Sequence, residues 1–358
     1  MRLISERKVR KIASSLDENG LDAALFINME PSLDPNIPYI TGMHGMLDGA
    51  LILDNEKTRL IVTELDRNRA ETDASVDEII QIKKGDSLFS TIKAHVNEYK
   101  RIGVNKSILS LKTSEILKLK SRSDDIGTFM AMERAVKEER EVEAVRESAR
   151  ITNKGIAFLK GVLSDGFTER EIASKLECEL KFRGSEKPAF ETIMTSGRRS
   201  AFIHPYPGAS GKKIGNGPGI IDFGSVYMGY HTDVTVPFIS GHMSAETERM
   251  HKTLETVWRQ LRNVVKHGVK VSSLHEIYKK VLEEHGYDIR HSLGHGIGLQ
   301  IHEYPSLSSE DAVLKKGMTI AVEPGVYSDS IGGLRLENDI LIEKKGFEML
   351  TKSKLIRL

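Results

Sequence analysis

Two aspartates stand where a chain can least accommodate them. Asp222 lies in Ile220-Ile221-Asp222-Phe223-Gly224, and Asp233 in His231-Thr232-Asp233-Val234-Thr235-Val236; the flanking residues read as buried strand. A carboxylate withdrawn from water is costly unless a partner charge or a metal neutralises it. The conflict recurs toward the C-terminus. Glu323 closes the apolar run Met318-Thr319-Ile320-Ala321-Val322, and Gly332 to Ile340 alternates so that Arg335, Glu337 and Asp339 share one strand face. Between them, His291-Ser292-Leu293-Gly294-His295-Gly296-Ile297-Gly298 supplies imidazoles among glycines. Singly, each of these residues reads more simply as a salt-bridged strand carboxylate or a turn histidine. Together, four carboxylates (Asp222, Asp233, Glu323 and Glu337) outnumber the nearby cations, of which Arg335 can serve one. Two divalent cations would balance all four, and an oxygen-rich set with one imidazole suits Mn²⁺, Co²⁺, Fe²⁺ or Zn²⁺ in a hydrolytic pair.

The 358 residues exceed one ordinary core, so two domains are expected. With 52 basic and 51 acidic residues the chain carries no field for a polyanion, which argues against nucleic acid as a partner. The single cysteine, Cys178, rules out an internal disulfide framework and suits a reducing compartment. The charged N-terminal segment lacks a signal-peptide core, and no run approaches the roughly 18–20 apolar residues of a membrane span. A cytoplasmic protein with no membrane partner is the expectation.

Helical spacing is read over Glu6–Asn19, with Gly20 as the stop, and strands over Ala23–Ile27, Ala50–Leu53, Arg59–Thr63 and Glu78–Ile82. With a helix around Leu88–Tyr99, these make a small α/β domain whose only ligand-type candidates are His44 and Asp48. The polar stretch Lys120–Asp125 marks the boundary, giving domains 1–125 and 126–358. Beyond it an amphipathic pattern runs over Glu133–Leu163 and is ended by Asp165-Gly166. Thr168 and Glu171 form a capping box that opens a helix to about Gly184. Further helices are read over Ala245–His267 and Val271–Gly286. The second domain is thus α+β, a sheet carrying helices on one side.

In order and approximate spacing, Asp222, Asp233, His295, Glu323 and Glu337 resemble the five metal ligands of the pita-bread metallopeptidases. The local contexts IDFG, GHGIG, HE-x-P, VEPG and GG-x-R-x-E match as well, over essentially all of 130–358. The first 125 residues resemble the creatinase-type N-terminal domain, which points to the proline-directed branch. The resemblance implies that Asp222 binds one metal, Asp233 and Glu337 bridge two, and His295 and Glu323 complete the other. It implies a water nucleophile between the ions, with Glu323 as proton acceptor. His204, His291 and His302 match histidines that contact the substrate, His204 sitting one residue further from Asp222 than in the usual prolidase. Arg335 is expected to orient Glu337 or hold a neighbouring acid, beside the substrate site.

The chain departs from the pattern where relatives often carry Thr-Arg-Thr and it has Thr235-Val236-Pro237, where prolidases often carry arginine and it has Ser306, and at Asn338, often an acid. No departure removes a ligand. The expected activity is hydrolysis of X-Pro bonds in small peptides, as a dipeptidase or an aminopeptidase, by a homodimer using two divalent ions, Mn²⁺ or Co²⁺ first and Zn²⁺ or Fe²⁺ next. The competing readings are a metal-free, creatinase-like hydrolase and a non-catalytic peptide-binding protein on the same fold.

Overall fold

The computed structural model describes residues 2–119, 122–163, 166–308 and 311–358. Lys120 and Ser121 of the expected boundary, and Asp165 of the expected helix stop, lie outside them. The chain forms two compact units, Met1–Arg134 and Ala135–Leu358.

In the first unit, helix Glu6–Glu18 buries Val9, Ile12, Ala13 and Leu16, one face of a 3.6-residue period, and Ser5 caps its first turn. Six strands form one sheet: β1 (Ala23–Asn28), β2 (Gly49–Asp54), β3 (Thr58–Val62), β4 (Glu78–Gln81), β5 (Ile102–Val104) and β6 (Ser123–Asp125), in the order β4-β3-β2-β1-β5-β6. The β2–β3 turn is tied by the Asp54 carboxylate, which accepts from the backbone N–H groups of Glu56 and Lys57.

The second unit opens with a departure from periodicity. The pattern over Glu133–Leu163 is interrupted, giving helices Gly127–Ala135 and Glu139–Val162. At the break Val136 forms a β-bridge with Met318, and Lys137 N–H donates to the Gly317 carbonyl. Glu138 then starts the second helix through a capping box with Glu141. The expected box at Thr168 and Glu171 opens helix Glu169–Phe182.

The single expected sheet resolves into two, each with its own pair of helices. The strands are β7 (Ile193–Ser196), β8 (Gly217–Phe223), β9 (Val226–Tyr227), β10 (Tyr230–His231), β11 (Val234–Ser240), β12 (Gly294–Gly296), β13 (Glu303–Ser306), β14 (Thr319–Val322), β15 (Gly325–Ser328), β16 (Gly332–Arg335), β17 (Asn338–Ile342), β18 (Phe347–Met349) and β19 (Ile356–Arg357). One sheet runs β19-β11-β8-β7 and the other β13-β12-β14-β17-β18, with β15–β16 a separate ribbon. Ile221 and Phe223 of β8, with Val234, Val236 and Phe238 of β11, share a core with Ile151, Leu159, Ile172 and Leu176 of the first helix pair. Ile320, Val322, Ile340 and Ile342 pack with Leu254 and Trp258 of helix Ala245–Val264 and with Leu274 and Tyr278 of helix Val271–Glu284. Successive strand side chains point to opposite faces. Seating these apolar residues against helices therefore turns Asp222, Thr235, Ala321 and Asp339 away from both helix layers.

Candidate metal centre

β8 and β11 are antiparallel with Asp222 opposite Thr235, which brings Asp222 within two residues of Asp233 across the pair. β12 pairs with β14, His295 opposite Ala321, and the Glu323 N–H just beyond β14 donates to the Leu293 carbonyl. Glu337, in the two-residue gap between β16 and β17, donates its N–H to the Thr235 carbonyl. Backbone pairing thus fixes Asp222, His295, Glu323 and Glu337, and Asp233 is held just before β11 by its N–H bond to the Asp339 carboxylate. They line one cleft of about 350 Å³ with Arg335. Ligand atoms of Asp233, His295 and Glu337 lie within 4.8 Å of one another. His295 Nε2 is 3.5 Å from Asp233 Oδ2 and 3.8 Å from Glu323 Oε1.

Among the described residues, Arg335 is the one lysine or arginine lining this cleft. Its guanidinium is engaged at every nitrogen: Nη2 donates to Asp222 Oδ2 at 2.5 Å, Nη1 to the Tyr327 hydroxyl at 3.0 Å and Nε to Thr235 Oγ1 at 2.8 Å. Thr235 in turn donates to Glu337 Oε2 at 2.6 Å. Arg335 holds Asp222 directly and Glu337 through one hydroxyl. Asp339 does not line the cleft; it is buried behind Asp233, whose N–H donates to Asp339 Oδ2 at 2.9 Å. The strand read as continuous from Gly332 to Ile340 is broken at Leu336-Glu337, so Asp339 belongs to the five-stranded sheet and Arg335 to the ribbon.

Burial, followed by the charges of neighbouring carboxylates, pushes the Asp233 and Glu337 carboxyls well above their ordinary range. Burial also raises Glu323 and Asp339. Asp222 Oδ1 is buried without a hydrogen-bond partner among the described residues. These acids lack positive charge, and one guanidinium does not supply it. Four carboxylates, one imidazole and an orphaned buried carboxylate oxygen fit divalent cations.

The remaining histidines rim the set. His302 meets the His295 ring edge-on at 4.3 Å between centroids, and burial, then the His295 charge, lowers its pKa. His291 Nδ1 is 3.7 Å from Glu323 Oε2, while its Nε2 shares a hydrogen bond with the Tyr327 hydroxyl at 2.9 Å. Burial, then Arg335, pushes His291 down to about 4. His204 lines the cleft beside Ile203 and Pro205, and Phe190, Ile193 and Ile301 extend that apolar wall. Ser306 does not line the cleft; it pairs with His295 across β12–β13. In the first unit His44 is half-buried, its carbonyl accepting from Arg69, and Asp48 is exposed. Sequence reasoning passes over Tyr327, and reads Thr235 only as a departure from pattern. The usable signal for Thr235 is its place two residues after Asp233, at the start of β11.

The sequence pattern described as metallopeptidase family M24 matches residues 143–344, and that of the creatinase/prolidase N-terminal domain matches 8–142. The chain belongs to metallopeptidase family M24. An Xaa-Pro dipeptidase of Pyrococcus horikoshii is 33% identical to this M24 chain over 98% of both proteins. The crystal structure of the prolidase from Pyrococcus horikoshii superposes with a TM-score of 0.89 at 32% identity, covering 98% of this chain and 99% of that one. An X-Pro aminopeptidase from Thermotoga maritima gives a TM-score of 0.85 at 29% identity, covering 95% and 98%. The expected α+β pita-bread fold with a creatinase-type N-terminal domain is borne out, and the protein is a metallopeptidase. The metal-free hydrolase and the binding protein are not favoured. No helix among the described residues is long and apolar enough to cross a membrane.

Proposed function

We propose that this M24 peptidase hydrolyses the bond before proline in small peptides, X-Pro dipeptides first, using two divalent ions. The observation that carries the reading is one cleft in which Asp222, Asp233, His295, Glu323 and Glu337 face an apolar wall of Phe190, Ile193, Ile203, Pro205 and Ile301. The wall suits a pyrrolidine ring. Relatives named Xaa-Pro dipeptidase at 33% and 31% identity support the choice of substrate. Held by those five residues, Mn²⁺ or Co²⁺ first and Zn²⁺ or Fe²⁺ next, the ions would acidify the attacking water and polarise the scissile carbonyl. Glu323 accepts the proton as the water oxygen bonds to the carbonyl carbon, then delivers it to the proline nitrogen as the C–N bond breaks. His302 and His204 donate to the carbonyl oxygen as negative charge develops on it. His291, linked to Tyr327, flanks Glu323. Arg335 stays on Asp222 and keeps that wall of the cleft fixed. The reading extends to a cytoplasmic homodimer.

The test is release of amino acid from Ala-Pro and from Ala-Pro-Ala by protein loaded with Mn²⁺ or Co²⁺, with a chelator control. Metal-dependent cleavage before proline is expected, Ala-Pro the better substrate. Metal-loaded protein that cleaves neither peptide would overturn the reading.

A further inference from the structure

Lys137 and Glu303 form an ion pair at 3.1 Å between side chains each 1% exposed, 166 residues apart in sequence. We propose that this pair is the positioning device for His302; the inference rests on the donor role given to His302 above.

The imidazole of His302 makes no hydrogen bond to any described residue; it is held by its edge-on contact with the His295 ring and by the course of its backbone. That backbone ends the loop from Ile297 to His302 and leads directly into Glu303 at the start of β13. The loop is pinned at its near end: Ile297 N–H donates to the Thr319 carbonyl, Thr319 Oγ1 donates to the Ile297 carbonyl, and the Gly298 carbonyl accepts from His231 N–H at 2.7 Å. Its far end hangs on the Glu303 carboxylate. Oε1 accepts from Gln300 N–H at 3.4 Å, and Oε2 takes the Lys137 ammonium. Gly298 packs against this carboxylate so closely that a Cβ there would collide with Glu303 Oε2 and stand 3.0 Å from Lys137 Nζ. Lys137 is itself fixed, its N–H donating to the Gly317 carbonyl in the turn before β14, the strand that leads to Glu323. One buried pair therefore registers the His302 loop against the strand that leads to the proton acceptor. This also explains why the helical pattern breaks at 136–138: a continuous helix would carry Lys137 away from the turn. Removing the ammonium deprives a buried carboxylate of this counter-charge, and the loop rearranges to hydrate it. His302 then loses its alignment while the metal ligands stay.

Lys137→Met, Glu303→Gln and Lys137→Arg are made in the full-length protein, each alone and with His302→Ala. Metal per chain, kcat and KM on Ala-Pro with Mn²⁺ are measured. Lys137→Met and Glu303→Gln are expected to lower kcat roughly ten- to hundredfold, as misplacing a supporting group does, with metal content and KM little changed. Lys137→Arg is expected to recover most of the loss. In the His302→Ala background the same changes are expected to cost less than about twofold more, because the group they position is gone. Wild-type kcat in Lys137→Met, a full multiplicative loss on top of His302→Ala, or loss of metal would each overturn the proposal. Should Lys137→Met fail to fold, the charge-free Lys137→Met/Glu303→Gln double variant is judged by the same outcomes. His302→Ala at wild-type turnover overturns the donor role and this inference together. An impaired His302→Ala beside an unimpaired Lys137→Met overturns this inference alone.

Discussion

The two units treat buried polarity in opposite ways. In the first, Asp34 is buried and accepts from the N–H and the side-chain amide of Asn36, while the Asn28 side chain accepts from the Asp34 N–H and donates to the Met46 carbonyl. Asp54 is held by two backbone N–H groups, the Tyr99 hydroxyl and Arg59. No buried side-chain polar atom of this unit lacks a partner among the described residues. The catalytic unit leaves Asp222 Oδ1 and Asp339 Oδ1 without partners and packs Asp233 and Glu337 against other acids. The first unit is complete from its own chain. The second holds a surplus of buried carboxylate oxygens that cations in the cleft would offset.

The sharpest way to break this comparison is to remove part of the surplus. Asp233→Asn and Glu337→Gln should each lose at least one metal and nearly all activity, on the order of 10³-fold or more, with circular dichroism unchanged. Two metals per chain and normal turnover in either variant would sink the assignment of these carboxylates. His302→Ala should keep both ions and lose roughly 10²–10³ in kcat, the cost of one oxyanion donor. If it fails to hold metal, His302 belongs to the ligand set instead.

The first unit offers a control through pH. Burial raises Asp34 to about 6 from 3.8. A raised acid favours the folded state below the unfolded pKa and loses that advantage as pH rises through the folded one. Its contribution should therefore decline between about pH 4 and 6, by no more than ~3 kcal/mol. In chemical denaturation, the stability difference between wild type and Asp34→Asn should shift across that window; a pH-independent difference would place Asp34 in an ionised network. Finally, Mn²⁺ at a hundredfold excess over its Kd should stabilise the protein by ~2.7 kcal/mol, read as a higher Tm for the catalytic transition. An unchanged Tm with metal bound would show that the surplus is relieved without it.

Much of this site is visible in one dimension because burial and charge conflict locally. Asp222 among isoleucines, and Glu323 at the end of an apolar strand, each declare a carboxylate that the surrounding residues cannot satisfy. The capping box at Thr168 and Glu171 is legible for the same reason, since its partners lie within one turn. The helix over Glu133–Leu163 misleads because its apolar period continues through Val136. What interrupts it is a backbone bond to Gly317, far along the chain.

The sequence by itself determined which carboxylates and imidazoles stand in or beside apolar strands and the shortage of positive charge around them, because alternation and composition are properties of neighbours. Only the tertiary structure decided which acid Arg335 holds, that Thr235 relays it to Glu337, that Asp339 retreats behind Asp233, and that Lys137 reaches Glu303. Each of these is a contact between residues from 100 to 166 apart, chosen by which strands pair and how the helices seat against them. Local periodicity fixes which way a side chain points. It carries no record of what will be standing there.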